Sequence, residues 1–143
     1  MRITFLLVLV IISCVPNPKQ IKGDKNTDGE TPLKSGYSMI FFRIDDYVKI
    51  YADNTEIFDS RRTWVSGKEM LIDLNELGVS EKTQLKVECH NTECNDCRNN
   101  NWELVYELYK NGEGVEYVSE YSNNQHTDEG LAHTVVHDLS FYD

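Results

Sequence analysis

Basic residues are scarce in this chain of 143: 14 Lys and Arg stand against 24 Asp and Glu, a net charge of −10. The isoelectric point near 4.8 argues against a duplex nucleic-acid binder, because neutralising phosphates takes clustered Lys and Arg. Long hydrophobic runs are missing too. The most sustained is Ile3 to Ile12, and a mean hydropathy of −0.50 excludes a polytopic membrane protein. Proline is limited to three residues, all before position 33. No G-x-S-x-G, H-E-x-x-H, P-loop or dinucleotide fingerprint occurs, so neither enzymatic activity nor a cofactor is expected. The length fits one domain and leaves no room for two sizeable cores.

What is present falls into three unlike parts. As a helix, the ten apolar or near-apolar residues behind Met1-Arg2 would reach about 15 Å, half of a bilayer core of roughly 30 Å. A positive start, a short apolar stretch and a small residue before a cleavage point describe an export signal. The end of that stretch, Ile11-Ile12-Ser13-Cys14, resembles the lipobox of bacterial lipoprotein precursors. The resemblance implies cleavage after residue 13, lipidation of Cys14 and a membrane partner through that anchor. Two or three acyl chains give lasting attachment where one does not. The location implied is the cell envelope: outer membrane, with the domain facing the periplasm or the surface.

Residues 14–35 read as the lipidated Cys and a flexible linker, with all three prolines, no aromatic residue and no periodicity. Asp24 to Glu30 matches the first half of a calcium loop, but Ser35 stands where the bidentate Glu belongs. Residues 36–143 hold a net −12 with all eight Tyr and both Trp, enough aromatic surface for a core. Their pattern has period two. Strands are expected at Tyr37–Ile44, Asp46–Ala52, Thr55–Phe58, Glu69–Leu74, Gln84–Cys89, Trp102–Lys110, Val115–Tyr121 and Ala132–Leu139. Asn111 to Gly114 reads as a hairpin connection, and Asn75–Gly78 as the one short helical candidate. The fold class expected is all-β: an antiparallel β-sandwich, jelly-roll-like.

The segment Asp45-Asp46-Tyr47 through Phe58, with Leu85 to Asn91 and Trp102-Glu103-Leu104, resembles the strand chemistry of galactose-binding-like and PA14-like β-sandwich domains. That resemblance spans about 60 residues and implies a binding module with its ligand site on loops.

Cys89, Cys94 and Cys97 cluster beside His90 in a polar loop. They are candidates for a disulfide or a metal site. The export signal favours a disulfide joining Cys89 to Cys94 or Cys97, while three thiolates and an imidazole would suit zinc. Cys89 and His90, being adjacent, converge only if the strand ends at Cys89. His133 and His137 fall in a β-branched run, where four residues separate them by about 13 Å. They read as satisfied or surface histidines. Asp45, Asp46, Asp53 and Asn54 flank one hairpin and are candidates for a structural calcium. Arg61, Arg62 and Trp64 form the one basic-aromatic group of the acidic domain and are the candidate ligand-binding residues.

The expected function is a lipid-anchored envelope protein whose non-catalytic β-sandwich binds a partner, with carbohydrate as the first ligand class. The alternative is a structural or assembly lipoprotein that binds another envelope protein through a sheet face or edge.

Overall fold

A computed structural model describes residues 29–64, 67–93, 100–124 and 128–142. The period-two segments all form strands: β1 Tyr37–Ile44, β2 Tyr47–Ala52, β3 Thr55–Asp59, β4 Met70–Asp73, β5 Gln84–Asn91, β6 Glu103–Lys110, β7 Glu113–Tyr121 and β8 Gly130–Asp138. Two antiparallel four-stranded sheets result. Sheet A runs β4-β1-β6-β7 and sheet B runs β3-β2-β5-β8. This adjacency is that of a jelly roll whose chain start has moved two strands along. The expected all-β sandwich is the architecture observed.

Alternation decides which side chains lie between the sheets. Met39 and Phe41 of β1, Val48 and Ile50 of β2, Leu85, Val87 and Cys89 of β5, and Leu104, Tyr106 and Leu108 of β6 form one buried cluster. Trp102 joins it and stacks on His133 with ring centroids 5.3 Å apart. Each fully buried side chain of this size contributes about 1.5–3 kcal/mol relative to exposure.

The hairpin turns are set by local chemistry. Asn111 and Gly112 between β6 and β7 have φ of 54° and 87°, and Asp53 and Asn54 between β2 and β3 have 47° and 69°. Positive φ at both central residues is the geometry that matches strand twist. Asp53 also accepts a hydrogen bond from the Gln84 amide at 2.9 Å, tying that turn to β5. The helix expected at Asn75–Gly78 is not formed. The Asp73 carboxylate accepts the amides of Asn75 and Glu76, and Gly78 takes φ of 81°, so the segment closes as a turn. Short 3-10 turns occur instead at Ser60–Arg62 and Leu139–Tyr142.

The stretch before β1 touches the sandwich. The Glu30 amide donates to Glu69, Leu33 to the Ser38 hydroxyl, and Gly36 to Asn111.

One polar network crosses between the sheets. His137 of β8 is 1% exposed; its Nε2 lies 2.7 Å from the Tyr106 hydroxyl and its Nδ1 2.8 Å from Glu116. Tyr142 also donates to Glu116. With the proton on Nδ1, the imidazole donates to the carboxylate and accepts from Tyr106, so every polar atom is used. Tyr106→Phe should cost about 1–3 kcal/mol by leaving the imidazole acceptor unpaired. His137→Ala, which also opens a cavity, should cost more. Urea denaturation measures both, and equal stability of the three proteins would contradict this role.

Candidate ligand-binding site

Arg61, Arg62 and Trp64 follow β3 directly, and the 3-10 turn that starts at Ser60 separates them. Asp59 caps that turn: its carboxylate accepts the Arg61 amide at 3.1 Å and the Arg61 side chain at 3.0 Å. The Ser60 hydroxyl, fully buried, accepts the Val48 amide at 2.9 Å and so fixes the turn to β2. Arg61 then lies over the Tyr47 ring, 4.4 Å from its centroid, on the outer face of sheet B. Arg62 is exposed. Trp64 turns away from both. It is partly buried against the core and lines a shallow groove with Phe42, Arg43, Ile44, Asp45, Gly67 and Glu103. The structure therefore does not bring the three residues to one site.

The outer face of sheet B is occupied by its own side chains. Tyr47 stacks on His90 at 4.8 Å, nearly parallel, beneath Arg61. Lys86 lies 4.1 Å over the Tyr51 ring and pairs with Glu88 at 2.7 Å, which also meets His90 at 3.2 Å. Lys49 pairs with Glu56. Tyr47 and Tyr51 are thus engaged by intramolecular cations, each worth about 0.5–1 kcal/mol at such sites.

The groove is different. It encloses about 160 Å³ where the end of β1 meets the start of β6. Arg43 and Glu103 pair across its rim at 3.0 Å, and the Asp45 amide donates to the Glu103 carbonyl at 3.1 Å. Burial, then the neighbouring charges of Asp46 and Glu103, raise the Asp45 carboxyl above the usual range. The Trp64 indole N–H is buried without a hydrogen-bond partner among the described residues. Such a donor carries an unmet demand of about 1–3 kcal/mol.

From the groove an aromatic row crosses the outer face of sheet A. Phe42 leans to within 6.4 Å of the Tyr117 ring. Tyr117 and Tyr121 on β7 are 62% and 56% exposed and stand opposite Glu107 and Glu103 of β6. Sequence reasoning did not single out Phe42, Arg43, Tyr117 or Tyr121. A signal was available in Val115-Glu116-Tyr117-Val118-Ser119-Glu120-Tyr121, whose parity puts Glu116 and Glu120 on the core-side face and both Tyr outside. That is the inverse of a strand in the middle of a sheet.

The cysteine expectation needs correction. β5 continues to Asn91, so Cys89 points inward and His90 outward. Cys89 is a free, fully buried thiol, not a disulfide partner, and burial first, then Asp45 and Asp46, push it up to about 12. Cys14, Cys94 and Cys97 lie outside the described residues, as does nearly all of the calcium-loop-like segment. The calcium candidates are divided: Asp45 and Asp46 precede β2 while Asp53 and Asn54 follow it, about 20 Å away along the strand. Asp46 instead accepts the Thr92 amide and hydroxyl, both at 2.7 Å. Among the described residues no three His, Cys, Asp or Glu come together as a metal site would need.

Neither a protein-family model, nor a curated protein, nor a solved structure matches this chain.

Two expectations test these placements. The Arg61 side chain holds the Asp59 carboxyl below its ordinary value, against the opposing effect of burial. Its contribution is full above the unfolded value of about 3.9 and is lost as pH falls through the lower folded one. Arg61→Ala should therefore destabilise the protein at pH 7 and differ progressively less from the wild type below about pH 4, as read from thermal melts. A gap that widens in acid would contradict the pairing. Second, Cys89 should resist iodoacetamide at pH 8 in the native protein and react in denaturant, as followed by peptide mass mapping; rapid native modification would show the thiol to be accessible.

Proposed function

We propose that this chain is a lipid-anchored cell-envelope protein whose β-sandwich is a non-catalytic carbohydrate-binding module. The observation that carries the ligand class is the groove at Trp64 and its continuation through Phe42 to Tyr117 and Tyr121. The apolar face of a pyranose packs on aromatic rings, while planar polar groups reach its hydroxyls. The groove offers both kinds of contact: Trp64 and Phe42 as surfaces, and Arg43, Asp45 and Glu103 as hydrogen-bonding groups. Sheet B is the poorer candidate, because Tyr47 and Tyr51 already carry cations.

The two carboxyl residues of the groove are read as ligand acceptors rather than as a hydrolytic pair. Glu103 is engaged by Arg43, and the groove is shallow and open to water. Glycoside hydrolysis depends on two carboxyl groups held on opposite sides of an enclosed bond.

The address rests on the resemblance of Ile11 to Cys14 to a lipobox. Labelled palmitate should be incorporated into the wild-type chain in a bacterial host, and Cys14→Ser should abolish both incorporation and membrane fractionation. For the ligand, a glycan array probed with the purified protein should give a restricted set of hits. Trp64→Ala and Tyr117→Ala should each weaken those hits about tenfold or more, equivalent to about 1.4 kcal/mol. A uniformly null array, or hits unaffected by both changes, would overturn the carbohydrate reading.

A further inference from the structure

The four sheet edges are not equally protected. β3 and β4 are short, at five and four residues. β7 spans nine residues but carries Glu113, Glu116 and Glu120. Short length and charge are the usual devices that keep an edge from pairing with another strand. β8 has neither protection. It also spans nine residues, Gly130 to Asp138, with no Lys, Arg, Glu or Pro and with its one carboxylate at the last position. Its pairing is with β5 alone among the described residues. One bulge, where the register shifts between Cys89 and His90, interrupts that pairing near Ala132, and the ladder from His133 to Asp138 is regular. Leu131 and Val136 are 58% and 53% exposed beside this edge.

The geometry points to β8 as a strand-addition site, independent of the groove: an extended segment of a protein partner adds to sheet B as a fifth strand. Unpaired N–H and C=O groups of an edge fit another strand backbone, and pockets beside the edge fit its alternate side chains. Leu131 and Val136 supply the apolar seats. Charge selects the occupant. Exposed Asp128 and Glu129 precede the strand and exposed Asp138 ends it, so the partner segment carries basic residues at both ends and apolar residues between. The same charges work against a second copy. Antiparallel pairing of two β8 strands about Thr134 would set Asp138 of each beside Gly130 and Glu129 of the other, and like charges so placed are destabilising.

Hydrogen exchange on the whole protein tests this with a nine-residue peptide of alternating Val and Thr bearing Lys at both ends. The peptide should slow exchange of amides in residues 130–138 at least tenfold. A counterpart ending in Glu, and one with a central Pro, should not. The variant L131K/V136K, altered only at exposed positions, should lose the protection while exchange elsewhere stays as in the wild type. No protection of β8 by the Lys-ended peptide at millimolar concentration would overturn the proposal, as would protection confined to β7. Equal protection by the Glu-ended peptide would overturn the charge selection. β8 protection that grows with protein concentration without peptide would identify a second copy as the occupant and overturn the partner assigned here.

Discussion

Each sheet has one dry face, and the fold depends on the two dry faces closing on one another. A single four-stranded sheet with Met39, Phe41, Leu104, Tyr106 and Leu108 on one side would leave them in water. Facing Val48, Ile50, Leu85, Val87 and Cys89, they form one continuous interior. Burial of this kind has no direction, so it does not by itself fix how the sheets sit. The His137 network adds direction: one imidazole from sheet B is held by Tyr106 and Glu116 of sheet A. Hydrogen bonds that must all be made inside a dry interior permit few arrangements.

Once the inner faces are committed to the core, recognition falls to the outer faces, the edges and the ends. The two outer faces differ in chemistry. On sheet B, Lys86, Glu88 and His90 satisfy one another, Arg61 pairs with Asp59, and Arg61 and Lys86 cover Tyr47 and Tyr51. On sheet A, Tyr117 and Tyr121 stay exposed, and the row they belong to leads through Phe42 to the groove beside Trp64. On the lipid anchor proposed above, an acidic domain would be repelled from anionic headgroups.

Strand positions were legible in the sequence because period two survives wherever one face is buried. Trp102, Leu104, Tyr106 and Leu108 announce their shared face directly. The site was less legible, for reasons that are local. Arg61 and Trp64 are three residues apart, yet a 3-10 turn capped by Asp59 sends them to different surfaces, and such a turn leaves little pattern in sequence. Cys89 was misjudged through strand length: two further residues of β5 put its thiol in the core and His90 outside. Tyr117 and Tyr121 were hidden because an edge strand inverts the usual rule, placing Glu116 and Glu120 inward where the rim still reaches water and His137.

The central claim is that ligand binds at Trp64. The chain has two Trp, and the other, Trp102, is 5% exposed in the core. Replacing Trp102 with Phe makes the groove residue the sole reporter. Titrating that protein with a glycan recovered from the array should shift Trp64 emission saturably and protect it from acrylamide quenching. A glycan that binds while Trp64 emission and quenching stay unchanged would contradict the account.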